Sequence, residues 1–215
     1  MNKSSCLAVA IVMSVVLAAC SQPDRSRALD DPRVPATTVA QQVCSTCHGM
    51  TGISGSPAFP KLAGQSHDYL VAQLAEFKSH SRSTVAGEQS MWGVSRLSPA
   101  QVEGLANYYS SQAPSYQPVA DAGLAAQGRR IFSEGIPDKS VPACSACHGM
   151  QGEGMGQFPR LAGQHADYIS KQLVIFRETQ QRPRGVAMQP IAHGLTDPQI
   201  HALAVFLQSF SPPGQ

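Results

Sequence analysis

The sequence predicts an all-α protein made of two tandem copies of one domain, and three observations carry that prediction. CSTCHGM at Cys44–Met50 returns almost unchanged as CSACHGM at Cys144–Met150. Apolar residues recur at helical spacing in matching places of the two halves, whereas the alternation expected of strands is nearly absent. Each half also ends on the same helix-start signal. Ser98-Pro99-Ala100-Gln101 and Thr196-Asp197-Pro198-Gln199 both fit a capping box with proline in the first turn.

Taken in order, the chain opens on a weakly basic start at Lys3, and Leu7–Ala19 is apolar except for Ser14. A helix over that run is roughly 20 Å long, short of a hydrocarbon core of about 30 Å, so residues 1–19 read as an export signal. The run ends in Leu17-Ala18-Ala19-Cys20, which resembles the lipobox of bacterial lipoproteins. The resemblance implies cleavage before Cys20 and its lipidation, with several acyl chains needed for firm anchoring. The plainer alternative is an ordinary signal in which Cys20 is incidental.

Residues 20–33 then read as a flexible tether, 34–113 as domain 1, 114–121 as a linker and 122–213 as domain 2. The Ser110–Asp121 region carries Pro114 and Pro118 and no apolar periodicity. Within the domains, Val39–Val43 and Leu124–Phe132 predict short amphipathic helices leading to the cysteines. Tyr69–Phe77 and Tyr168–Phe176 predict a second helix in each half. Val102, Leu105, Ala106 and Tyr109 mark the last helix of the first half, and Ile200, Leu203, Ala204 and Leu207 that of the second. Gly- and Pro-rich loops, Thr51–Pro60 and Gln151–Pro159, lie between. Phe59–Gln65 matches Phe158–Gln164, and Asp68-Tyr69, Gln73-Leu74 and Phe77 match Asp167-Tyr168, Gln172-Leu173 and Phe176. The offset slides from 100 to 97, which places small insertions in loops.

Charge excludes one large class. The formal net charge is +2, charged residues make up 14%, and acidic and basic residues balance within each half, so no basic stripe for nucleic acid is present.

With Cys6 in the signal and Cys20 at its end, the remaining cysteines form two C-x-x-C pairs, each followed directly by histidine. C-x-x-C-H is the attachment motif of c-type haem. Cysteines at i and i+3 share one helical face and can both reach the porphyrin vinyl groups, and the next residue can turn its imidazole to the iron. A structural zinc site needs further ligands at short spacing, and a thiol–disulfide site needs a βαβ setting; neither is present. The expectation is two covalent haem c groups, on Cys44/Cys47 and Cys144/Cys147, with His48 and His148 as iron ligands. Small helical domains with thin cores also need such a staple.

The sixth ligand decides between an electron carrier and an open, reactive iron. Met91 and Met188 repeat in position before the final helix and are the expected ligands. Met50 and Met150 sit too close to the histidine to reach the far face, and Met155 reads as a core filler. His67, His80, His165, His193 and His201 do not repeat and read as surface or internally satisfied residues. Pro60 and Pro159 are placed to offer a carbonyl to each ligating histidine. Leu62 and Leu161 are expected near the ring, Trp92 in packing or at a haem edge, and Arg182 and Arg184 either opposite the haem propionates or in a solvated loop.

The stretches PAFPKLAGQSHDYLVAQLAEFK and GIPDKSVPACSACHGMQGEGMGQFPRLAGQHADYISKQLVIFRE resemble the two halves of bacterial cytochrome c4 over nearly all of the chain after the signal. The resemblance implies two class I cytochrome c domains related by a pseudo-twofold, with His/Met ligation at His48/Met91 and His148/Met188. It also implies a periplasmic carrier exchanging electrons with membrane respiratory complexes, often toward a terminal oxidase. The alternative is the cytochrome subunit of a periplasmic dehydrogenase, such as a flavocytochrome c sulfide dehydrogenase. A self-contained dihaem peroxidase would need an open iron and a longer chain.

Overall fold

The computed structural model describes residues 29, 31–82, 91, 93, 96–178, 182 and 185–211. The expected signal, Cys20 and most of the tether lie outside the described residues, as do Trp92 and Arg184. Among the described residues the regular structure is helical, and strand pairing is limited to two isolated bridges, Ile136 with Val141 and Met155 with Phe158. No helix there is long and apolar enough to cross a membrane.

In the first half, α1 (Ala36–Val39) runs through a π-helical turn (Ala40–Cys44) straight into α2 (Ser45–His48). α3 (His67–Lys78) and α4 (Pro99–Ser110) follow. The second half holds α5 (Ala122–Glu134), a 3₁₀ turn (Pro137–Lys139), α6 (Ser145–His148), α7 (Ala166–Glu178), α8 (Met188–His193) and α9 (Asp197–Ser209). The predicted helices are all present and somewhat longer than their apolar cores. α8 carries no periodic signal of its own because it is a single turn and a half.

Both capping boxes form. Gln101 accepts from the Ser98 N–H while Ser98 accepts from the Gln101 N–H, and Gln199 accepts from the Thr196 N–H at 2.9 Å. The Gln101 amide reaches further and donates to the carbonyls of Asp31 and Val34 (3.0 and 3.1 Å), pinning the incoming chain to α4. Leu29 packs on the first core, so the end of the expected tether lies against the domain.

Each half buries one core between its first and last helices. In the first half Val39, Ala40, Leu105, Ala106 and Tyr109 form the centre; in the second, Phe132, Ile200, Leu203, Phe206 and Leu207 do. The crossings are tight because one partner is glycine. A Cβ on Gly104 would come 2.5 Å from Ala36 Cβ, and one on Gly128 would come 2.1 Å from the Ala202 carbonyl oxygen. The glycine sits on the last helix in one half and the first helix in the other.

The halves are joined by more than the linker. Lys61 and Arg160 are repeat equivalents, as are Gln65 and Gln164. The Gln65 side chain accepts from the Arg160 N–H (2.6 Å) and donates to its carbonyl (3.1 Å). Gln164 does the same to the Lys61 backbone, 2.9 Å each way. Reciprocal contacts of this kind are the signature of a two-fold relation, here internal to one chain. The Lys61 ammonium donates to the carbonyls of Gly163 (2.8 Å) and Ser115 (3.3 Å), and Arg160 donates to Ala162 O and to the Tyr116 hydroxyl. The linker is therefore bonded to the domain it follows and the domain it precedes.

Candidate haem sites

The C-x-x-C-H stretches are helical, so Cys44/Cys47 and Cys144/Cys147 stand one turn apart ahead of α2 and α6 termini at His48 and His148. Each helix stops because the next residue is a glycine in a left-handed conformation. Gly49 has φ 77° and Gly149 has φ 82°, and a Cβ on Gly49 would meet the Ile53 carbonyl oxygen at 2.4 Å. The chain then folds back, bringing the Phe-Pro segment beneath the imidazole.

That fold-back fixes the histidines. His48 Nδ1 lies 2.8 Å from the Pro60 carbonyl oxygen, and His148 Nδ1 lies 2.9 Å from that of Pro159. A carbonyl only accepts, so Nδ1 carries the proton and Nε2 keeps its lone pair for a metal. Both imidazoles are buried, and burial lowers their pKa against the opposing effect of the proline carbonyl. Both are held neutral. Phe59 and Phe158 brace the rings edge-on, with centroids 6.2 Å away in each half. Sequence reasoning recognised these phenylalanines as part of the repeat without reading the contact; their place directly before each proline was the available signal.

Burial also raises the Cys44 thiol and pushes Cys144 to about 11. Such thiols hold little thiolate at neutral pH, and the four described cysteines form no disulfide. The low thiolate fraction counts against thiol–disulfide exchange as the purpose of the pairs.

A cavity of about 440 Å³ opens over the second motif. Its wall includes Cys144, Cys147, His148, Pro159, Leu161 and Met188. Volumes of roughly 300–1,000 Å³ suit cofactors, and an apolar wall with two thiols, an imidazole with a free Nε2 and a thioether suits haem c by donor type. Across the interface the same cavity is lined by Leu62, Leu70, Gln73, Glu76 and Arg82, so the two halves share it. Met188 opens α8 and is half-buried; Met91 is half-buried before Leu97.

The remaining expectations divide as follows. Met50 and Met150 are exposed. Met155 is 65% exposed and is not a core filler, because its turn is tied by backbone bonds to Phe158 with the side chain outside. His67 pairs with Asp68 and Glu103, and His193 Nδ1 with the Gln189 carbonyl. His165 is buried between the halves, with Nε2 2.8 Å from the Ser54 hydroxyl and 3.1 Å from its carbonyl. Arg182 is buried on the cavity wall, 5% exposed, and not in a solvated loop.

Two helical domains in tandem, each presenting Cys-x-x-Cys-His with the imidazole anchored through Nδ1, are the plan of a two-haem c-type cytochrome. Comparison with known proteins agrees. The cytochrome c family model matches residues 35–113 and 125–211. A cytochrome c4 of Thiocapsa roseopersicina is 40% identical over 177 residues, covering 80% of this chain and 89% of the relative. A thiosulfate dehydrogenase electron acceptor of Thiomonas intermedia is 38% identical over 179 residues, covering 79% and 80%. The solved structure of reduced cytochrome c4 from Pseudomonas stutzeri superposes with a TM-score of 0.73 at 37% identity, covering 84% of this chain and 99% of that one. The chain belongs to the cytochrome c family, in its two-domain cytochrome c4 branch. It is a dihaem cytochrome with covalently bound haem c, and it works in electron transfer as a carrier.

Proposed function

We propose that the chain carries electrons between periplasmic redox proteins and membrane respiratory complexes, in the direction of a terminal oxidase. Cys44, Cys47, Cys144 and Cys147 hold the two haems through thioethers. His48 with Met91, and His148 with Met188, close the two irons, and Cys20 ties the chain to a membrane through lipid. When bound, each haem supplies a one-electron ferric/ferrous couple. The protein's own part is to fix the imidazoles through Pro60 and Pro159, keep water from the cavity and close the sixth position so that no substrate reaches iron.

The observation that carries this reading is the anchoring of both motif histidines through Nδ1, which leaves one ring nitrogen in each half for iron. The test is an optical titration of the purified protein with haem counted per chain and carbon monoxide added to the reduced form. Two low-spin haems indifferent to carbon monoxide support a carrier. Met91→Ala and Met188→Ala should each open one iron to carbon monoxide, and unchanged ligation in both variants removes the methionines from the assignment.

The similarity to a thiosulfate dehydrogenase electron acceptor favours a second reading, in which the donor is a periplasmic dehydrogenase that binds this chain as its acceptor. Rapid reduction by such a dehydrogenase, and co-purification with it, would distinguish this from a freely diffusing shuttle.

A further inference from the structure

The two motifs are entered differently. α1 reaches Cys44 through the π-helical turn Ala40–Cys44, and the Ser45 N–H donates to the Ala40 carbonyl at its end. π-Helical turns are rare and are found frequently at functional positions. Cys144 instead follows the non-helical residues Pro142 and Ala143, and its thiol faces the Ile131 carbonyl at 3.9 Å.

Against the first turn stands Tyr109 of α4, 3% exposed. Its hydroxyl lies 3.5 Å from the Ala40 carbonyl oxygen, at the long limit of a hydrogen bond. The same hydroxyl is the side-chain hydrogen-bond partner of Cys44, which packs on the core that Tyr109 helps to form. Burial first, and then Cys44 and Tyr108, push the phenol upward, so it keeps its proton and acts as a donor. The second half has no such group. The Gly64 N–H donates to the Tyr109 carbonyl (2.9 Å) and the Gly163 N–H to the Leu207 carbonyl (2.8 Å), which makes Leu207 the repeat equivalent of Tyr109.

Haem attachment changes what each sulfur can do. A thiol donates weakly, whereas a thioether sulfur only accepts. Cys144, facing a carbonyl, loses its bond when it becomes a thioether. Cys44, facing a hydroxyl, keeps one. We propose that Tyr109 is a positioning residue for the first haem, its hydroxyl donating to the Cys44 thioether sulfur and fixing how that sulfur meets the porphyrin edge. This rests on the assignment of a covalent haem to Cys44 and Cys47 made above. Tyr109 makes and breaks no covalent bond.

The test uses the full, haem-loaded chain in its reduced form, with Tyr109→Phe and Tyr109→Leu. Haem attachment is recorded first, by the mass of the peptide carrying each motif. Proton NMR then follows the four thioether bridges. In the parent, a slowly exchanging phenolic proton should show a cross-peak to the Cys44 bridge. Tyr109→Phe should abolish that cross-peak and shift the Cys44 bridge resonance while the Cys144 and Cys147 bridges stay in place. Tyr109→Leu should give a shift in the same direction. A parent spectrum without the cross-peak overturns the proposal. So does a Cys44 resonance that is unchanged in Tyr109→Phe and moves only in Tyr109→Leu, because that pattern marks ring packing. If Tyr109→Phe does not fold, the parent spectrum decides alone. A first-motif peptide without the mass of haem would instead overturn the site assignment.

Discussion

Gln65→Ala is the sharpest test of how the halves are held. Gln65 is buried, and its amide closes both polar groups of the Arg160 peptide at 2.6 and 3.1 Å. Its Oε1 also accepts from the Ser66 N–H at 2.9 Å, just ahead of α3. Alanine removes all three bonds and leaves a buried N–H and C=O without their partner. Each neutral bond is worth about 0.5–1.5 kcal/mol net, and each stranded buried group costs about 1–3 kcal/mol. Allowing for water reaching part of the gap, the loss should be about 2–4 kcal/mol, a large share of a typical stability of about 5–15 kcal/mol. Gln65→Glu is no rescue, since it sets a second oxygen against the Arg160 carbonyl. The assay is urea unfolding of the haem-loaded protein, followed by far-ultraviolet circular dichroism and by haem absorbance. The expected result is a lower midpoint and a separation of the two probes as the halves uncouple. Gln164→Ala should act alike through Lys61, and the double variant should be non-additive because both amides serve one bridge. A loss below about 1 kcal/mol with coincident probes would refute the reasoning.

Two further outcomes follow from the same geometry. Burial first, and then Lys61, hold the His165 pKa below its ordinary value, with the Ser54 carbonyl and Asp167 opposing. The unfolded chain takes up a proton near pH 6.5 and the folded chain only lower, so stability is complete above about pH 6.5 and falls as pH drops through it. His165→Gln should flatten that slope, which can reach about 1.4 kcal/mol per pH unit; an unchanged slope in pH-dependent urea midpoints would exclude His165 as its source. Gly128→Ala should destabilise by at least about 1–3 kcal/mol, because the new Cβ meets the Ala202 carbonyl oxygen at 2.1 Å and Phe206 Cβ at 2.6 Å. A thermal midpoint equal to the parent would show that α5 and α9 can separate without cost.

What could be read in the sequence was whatever a local rule governs. The capping boxes at Ser98 and Thr196 are complete within four residues, so both helix starts could be placed from letters alone. The proline carbonyls on His48 and His148 were also legible, because a ligating imidazole needs an acceptor and the repeat offers one at nearly the same place, 12 residues on in one half and 11 in the other. The roles of Gln65 and Gln164 were not. Their partners lie 95 and 103 residues away in the chain, and nothing local distinguishes an interface amide from a loop amide. The glycine crossings at Gly104 and Gly128 escaped for the same reason, and because the glycine changes helix between the halves the repeat hides it. Met155 looked internal because methionine usually fills gaps, but a turn flanked by Gly154 and Gly156 leaves its side chain outside.

The repeat also separates what each haem site needs from what the pair needs. Residues that match in type and contact, such as Phe59/Phe158 and Pro60/Pro159, serve one site twice. Gln65/Gln164 also match, but each also bonds to the backbone of the opposite half, so they serve the dimer-like pair as well as their own helix start. Their bonds run to backbone rather than to mobile side chains. An amide clamped to a peptide has fewer ways to rearrange than an ion pair between long side chains, which loses rotamer freedom to form. Such a joint keeps the two sites at a fixed separation.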